Sequence, residues 1–151
     1  MKARAGFDGP FGRLVLTEES GVITRLAWGG PEEGDPSELL TEAGRQLAAY
    51  FAGTRRAFDL PLDWGTGVNE QVRRAMAAIP FGETRTYGDL ARDLGVPAQV
   101  IGQACGANPI PILIPCHRIL AANGLGGFSA PGGIETKIAL LKHEGAASLL
   151  L

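Results

Sequence analysis

The segment Ile112-Leu113-Ile114-Pro115-Cys116-His117-Arg118-Ile119 sets a cysteine against a histidine at the end of an apolar run, with proline before the pair and arginine after it. A thiol attacks as its thiolate, and a neighbouring imidazole can draw off the proton, so the pair points to nucleophilic cysteine chemistry. The same run also reads as core, because free cysteine is among the residue types most often buried. Which reading holds depends on what flanks it.

Upstream, Val68, Val72, Ala75/Met76 and Ile79 form an apolar stripe at helical spacing that ends at Pro80-Phe81-Gly82. A second helix is predicted from Thr86, whose hydroxyl caps it while Asp89 completes a capping box; Leu90 and Leu94 face inward and Gly95 stops it. After a short turn, Val96-Pro97 opens a third helix carrying Val100, Ile101, Ala104 and Cys105. Two short helices joined by a tight Gly-containing turn have the pattern of a helix-turn-helix, although a helical corner that only packs the core has the same spacing. Asn108-Pro109 ends the third helix, since the residue before proline is pushed out of the α region. From Ile110 to Ile114 the chain is expected to run extended and stiffened by prolines, which brings Cys116 close to any duplex held by the helix pair.

Downstream, a glycine-rich loop from Gly124 to Gly133 leads to a last helix with Ile134, Ile138 and Leu141 on its apolar stripe. Glu144 follows Leu140 and Leu141 at the spacing that keeps it near the apolar side. A carboxylate there needs a partner, and the His117 imidazole would both satisfy it and be held by it in one tautomer. A frayed terminal turn with Glu144 in water is the other reading.

The first part of the chain has a different character. Residues 13 to 17 and 22 to 28 read as a β-hairpin, with Val22, Thr24, Leu26 and Trp28 on one face. Asp35-Pro36-Ser37-Glu38 then supplies an N-cap at Asp35 and proline at the first helical position, followed by Leu40, Ala43, Leu47 and Tyr50/Phe51 at helical spacing and a stop at Gly53. Phe58, Leu60, Leu62 and Trp64 alternate as a further strand, which Pro61 makes an edge candidate. This is a small α/β unit over residues 1–64 with no cluster of chemical groups; Gly65-Thr66-Gly67 joins it to a mainly helical part over residues 65–151.

Composition is consistent with folded, globular chemistry. Of 151 residues, 45% are hydrophobic and 20% charged, with no repeat and no run of 18 apolar residues, so a membrane span is not expected. The N-terminus lacks the apolar stretch of a secretory signal, which suggests a cytoplasmic protein. Two cysteines, Cys105 and Cys116, are too few for a disulfide framework, and with His117 and His143 they give no zinc-ligand spacing, so no metal is expected. The net charge of −2 excludes a general polycation, but residues 1–64 carry seven basic against ten acidic groups and residues 65–151 seven against six, so a polyanion would prefer the second part.

Residues 65 to 145 resemble the C-terminal domain of the O6-alkylguanine-DNA alkyltransferases. The resemblance is carried by Ile79-Pro80-Phe81-Gly82-Glu83-Thr84, Thr86-Tyr87-Gly88-Asp89-Leu90-Ala91, Asn108 through Ile119, Gly126-Gly127-Phe128, and Lys137 through Leu140-Leu141 to Glu144. It implies a ribonuclease-H-like α/β N-terminal unit followed by a mainly α domain with a helix-turn-helix. It also implies direct-reversal repair of O6-alkylguanine in double-stranded DNA, by a monomer that uses no cofactor. In this light Cys116 is the alkyl acceptor, His117 takes its proton through a bridging water, Glu144 orients His117, and Asn108 braces the turn before the nucleophile. Tyr87 donates to the flipped base, while Gly127, Ser129 and the backbone at Ile119 line the pocket. Gln99, Gly102, Gln103 and Arg118 are expected on the DNA-binding side.

Aligned back from Asn108-Pro109, the family's arginine finger falls on Gln99, and the segment from Pro97 is two residues shorter than usual. Val68 and Arg73 stand where aromatics are common, Phe128 replaces the usual tyrosine, and Ala130-Pro131 extends the pocket loop. Two other functions are compatible with parts of the pattern. A non-catalytic lesion sensor would have no use for Cys116, and a multiple-turnover cysteine hydrolase would need an oxyanion hole, for which the sequence shows no signature beyond backbone groups.

Overall fold

The computed structural model describes residues 2–32, 34, 36–128 and 132–146. The chain divides into two compact units, Met1–Asp63 and Trp64–Leu151.

In the first unit β1 (Lys2–Gly9), β2 (Gly12–Glu19) and β3 (Val22–Trp28) form an antiparallel sheet in that order. The alternating face expected for β3 is broken by an extra residue. Thr17 lies opposite Arg25 but Glu18 opposite Ile23, so Thr24 is a bulge, and Ile23 and Leu26, three apart, both point into the core. Strand β1 was not expected, because its sequence shows little alternation; it forms by pairing along its whole length with β2. Helix α1 (Glu38–Phe51) packs its Leu40, Ala43, Leu47 and Tyr50 inward. Its cap is Ser37, whose Oγ accepts from Leu40 N at 3.0 Å, in place of the expected cap Asp35, which lies outside the described residues. Gly44 on α1 faces the Phe7 ring so closely that no Cβ would fit, which is why the helix can lie on β1. The strand expected over 58–64 reduces to one parallel bridge, in which Ile23 N donates to Pro61 O and Asp63 N to Ile23 O, each at 2.9 Å.

The second unit contains α2 (Gly67–Ala77), β4 (Arg85–Thr86), α3 (Tyr87–Leu94), α4 (Ala98–Gly106), a single 3₁₀ turn (Cys116–Arg118), β5 (Ile119–Leu120) and α5 (Ile134–His143). Val72, Met76 and Ile79 are buried as expected, whereas Val68 is exposed. The capping box of α3 is present, with Asp89 N donating to Thr86 Oγ1 at 3.1 Å and Thr86 N to Asp89 Oδ2 at 2.9 Å, and Gly95 closes the helix at φ 69°. Only Gly95, Val96 and Pro97 separate it from α4, the compact helix pair of a helix-turn-helix.

Strands β4 and β5 pair in parallel, Arg85 with Ile119 and Thr86 with Leu120. Tyr87 follows β4 directly and the Cys116–Arg118 turn directly precedes β5, so these few backbone bonds set the start of α3 beside the cysteine turn.

Two expectations for this unit are corrected. Residues 110–114 are folded into a turn, with Ile114 N donating to Ile110 O at 2.9 Å and Ile112 at φ 71°, an unusual conformation for a β-branched residue. On α5 the buried face is Lys137, Leu140 and Leu141, not the stripe through Ile134, which is exposed, and Ile138, which is half-buried.

Candidate active site

Cys116 opens the 3₁₀ turn after Pro115 and is 7% exposed. It lines a cavity of about 320 Å³ together with Tyr87, Gly102, Cys105, Gly106, Gly127 and Phe128. Burial pushes its thiol pKa up, and a hydrogen bond from the Asn108 side chain and the positive charge of Lys137 work against that shift. Asn108 also fixes the preceding turn. Its Nδ2 donates to Ile114 O at 2.9 Å and its Oδ1 accepts from Ile110 N at 3.1 Å, so one buried amide touches both ends of the turn and the thiol that follows.

His117 is fully buried, with Nε2 at 2.8 Å from Glu144 Oε2. Burial alone would raise the Glu144 pKa, but hydrogen bonds from His117 and Arg118 outweigh it and hold the carboxyl well below its ordinary range. An ionised carboxylate only accepts, so Nε2 carries the proton and Nδ1 keeps its lone pair. Nδ1 is buried and has no hydrogen-bond partner among the described residues. Burial lowers the His117 pKa despite Glu144, so the ring is neutral at pH 7 and able to act as a base.

Arg118 is not on the DNA-facing surface expected for it. It is buried, with Nε donating to Glu144 Oε1 at 2.8 Å, one terminal nitrogen to Oε2 at 2.9 Å and the other to Ile79 O at 2.7 Å. Ile119, expected to line the pocket, is buried and is not among the residues lining the cavity; its carbonyl accepts from Lys137. Tyr87, Gly102 and Gly127 do share the cavity with Cys116. Burial pushes the Tyr87 phenol pKa up, so it stays a donor. Gln99 and Gln103 lie exposed on α4, and Ser129 lies outside the described residues.

Residues 67–146 match the model of the 6-O-methylguanine DNA methyltransferase DNA-binding domain, and residues 5–64 that of the same proteins' ribonuclease-like domain. A methylated-DNA–protein-cysteine methyltransferase from Methanosarcina acetivorans is 46% identical over 93% of this chain and 96% of its own length. The chain belongs to the methylated-DNA–protein-cysteine methyltransferase family. A Mycobacterium leprae member is 39% identical over 95% of this chain and 94% of its own. Among solved structures, an O6-methylguanine methyltransferase from Mycobacterium tuberculosis superposes with a TM-score of 0.85 at 39% identity, covering 97% of this chain and 94% of that one. A complex of the M. tuberculosis protein with DNA superposes at 0.84, over 96% and 94% of the two chains.

Within this methyltransferase three features of the site were not singled out from sequence. Lys137 stands in the sequence only as one residue of a matching segment, yet it is completely buried, with its ammonium on the carbonyl of Ile119 just after the cysteine turn. Its spacing to Leu140, Leu141 and Glu144 on one helical face was the available signal. Cys105 and Gly106 line the cavity because α4 turns that face toward Cys116; Cys105 read only as a core position. Among the described residues there is no group of three metal-ligating side chains and no helix long and apolar enough to cross a membrane.

Proposed function

We propose that this protein repairs O6-alkylguanine in double-stranded DNA by direct reversal, moving the alkyl group irreversibly to Cys116. The thiolate sulfur attacks the alkyl carbon, a C–S bond forms as the C–O6 bond breaks, and the electron pair leaves on guanine O6. His117 Nδ1 accepts the thiol proton through a bridging water, Glu144 keeps the ring in the competent tautomer, and Asn108 braces the turn that presents the sulfur. Tyr87 donates a hydrogen bond to the leaving guanine as charge develops on it, beside Gly127. Because the thioether is stable, each molecule acts once.

The base must leave the stack to meet a sulfur recessed in a cavity, at a cost on the order of a few kcal/mol that is smaller at a damaged base. Exposed Gln99 and Gln103 on α4, with Gly102 on the cavity wall, make α4 the element that meets the duplex. A cytoplasmic, reducing setting suits a protein whose activity consumes a free thiol.

The observation that carries this reading is that Cys116 opens into a cavity shared with Tyr87 and Gly127 while the next residue, His117, is fixed by an ionised Glu144. Incubation with an oligonucleotide containing O6-methylguanine should add one methyl to the protein, on Cys116, and Cys116→Ala should stay unmodified. Tight binding with no mass change would instead make the protein a lesion sensor, and turnover without modification a hydrolase.

A further inference from the structure

Lys137 has no exposed surface and no carboxylate partner among the described residues. Its ammonium donates to three backbone carbonyls, Ile119 O at 2.6 Å, Leu125 O at 2.5 Å and Gly127 O at 3.2 Å, which uses all three of its N–H bonds. Two of these carbonyls belong to the glycine-rich loop, which lines the cavity through Gly127 and Phe128; the third follows the cysteine turn.

The charges around Cys116 do not balance without the sulfur. Glu144 and Arg118 cancel one another through two hydrogen bonds, and His117 is neutral in its buried tautomer. The other titratable groups facing this region, Cys105 from α4 and Tyr87 from α3, both have their acidic protons held by burial. That leaves one buried positive charge with only neutral carbonyls around it. A buried cation of this kind is costly unless an anion lies near, and its carbonyl partners set it beside Cys116: Ile119 caps the turn that Cys116 opens, with its N–H on Cys116 O, and Gly127 shares the cavity wall with the thiol.

We propose that Lys137 is the counter-ion of the Cys116 thiolate, a positioning residue that makes the sulfur ionise and at the same time ties the cavity loop to the turn bearing it. His117 then serves as the route by which the proton leaves, while Lys137 sets how readily it leaves. The role rests on Cys116 being the nucleophile of the proposed repair, but the pairing can be measured without DNA.

The reaction of Cys116 with iodoacetamide, followed by peptide mass spectrometry so that Cys105 is scored separately, reports the thiolate fraction as a function of pH. In Lys137→Gln, which keeps a hydrogen-bond donor and loses the charge, the midpoint for Cys116 should move up by one pH unit or more, with a reaction at pH 7 at least tenfold slower. A purely structural staple would change DNA repair while leaving that midpoint in place, and this result would overturn the proposal.

Coupling between two sites is reciprocal, so the second measurement needs no change at Lys137. The side-chain ammonium of Lys137, followed by NMR, should titrate at lower pH in Cys116→Ser than in the unaltered protein. Equal values in the two proteins would also overturn the pairing. If the pairing holds and no methyl is transferred from DNA, the repair reading fails while the ion pair stands.

Discussion

Arg118 lies against Glu144 as a two-pronged fork, Nε to Oε1 at 2.8 Å and a terminal nitrogen to Oε2 at 2.9 Å, with the carboxylate at the end of α5 and the guanidinium at the end of the cysteine turn. This pair ties the chain after Cys116 to the last helix and leaves Oε2 shared with His117. Breaking a buried ion pair by removing one partner strands the other charge. Arg118→Ala should therefore cost about 3–5 kcal/mol in urea unfolding. A phosphate-contacting arginine would behave differently: its removal would lower the salt slope of DNA binding by about one and leave stability nearly intact. Unfolding curves and binding at two salt concentrations distinguish the two roles.

The acid limb of activity should lie below the ordinary histidine range. An imidazole with the ordinary histidine pKa would lose its role as base as pH dropped through about 6.5. Burial lowers the His117 pKa, so the neutral ring and its free Nδ1 persist to more acid pH. The same shifts set stability. His117 and Glu144 both bind protons less readily in the folded protein than in the unfolded chain, so stability falls with falling pH, first below the unfolded histidine value and again below the unfolded carboxylate value. Methyl-transfer rates between pH 7 and 5, each read beside a urea midpoint at the same pH, check both. A rate that already halves at pH 6.5 with an unchanged midpoint would mean that His117 titrates as a solvated ring.

Much of the site was legible because it depends on local spacing. The Thr86–Asp89 box, the Gly95 stop and the Cys116-His117 pair are each decided within a few residues, and the capping geometry follows from side chains that reach only their own helix end. Glu144 was placed near the apolar side by helical periodicity, and the structure gives it His117 as a partner. What failed depends on contacts that the pattern of residue types does not encode. The turn over 110–114 is held by Asn108, and the left-handed Ile112 is sustained by near-complete burial of its side chain, neither of which shows in an Ile/Leu/Pro run. Arg118 looked like a surface cation because its counter-ion lies 26 residues away. The sheet misled for a similar reason: the Thr24 bulge is a property of pairing with β2, not of the β3 sequence.

Asn108 should matter to both the turn and the thiol. Asn108→Ala orphans the Ile110 N–H, at a cost of roughly 1–3 kcal/mol in the interior, and removes one of two donors to the Ile114 carbonyl, which keeps Cys116 N at 2.8 Å. Asn108→Asp keeps an acceptor for Ile110 N, but replaces the donor beside Cys116 with a negative charge that disfavours the thiolate. The expected outcome is a slower reaction of Cys116 with iodoacetamide at pH 7, with a loss in unfolding free energy no smaller than for alanine, because the new carboxylate is buried facing the Ile114 carbonyl.

Gln99 stands exposed in the first turn of α4, at the position where the family resemblance places an arginine finger, so the residue that would fill the space of an extruded base is neutral here. Glutamine can hydrogen-bond an orphaned cytosine, but it brings no charge and less stacking surface than a guanidinium. If α4 meets the duplex, Gln99→Arg should tighten DNA binding, steepen its salt dependence by up to one unit of slope, and speed methyl transfer from duplex DNA. Because Gln99 is exposed, stability should stay within about 0.5 kcal/mol. The control is transfer from free O6-alkylguanine, which requires no extrusion and should proceed at an unchanged rate. Equal acceleration on duplex and free base would mean that the substitution acts on the cavity. No change in affinity or in duplex rate would mean that this chain opens the helix with a residue other than the one at position 99.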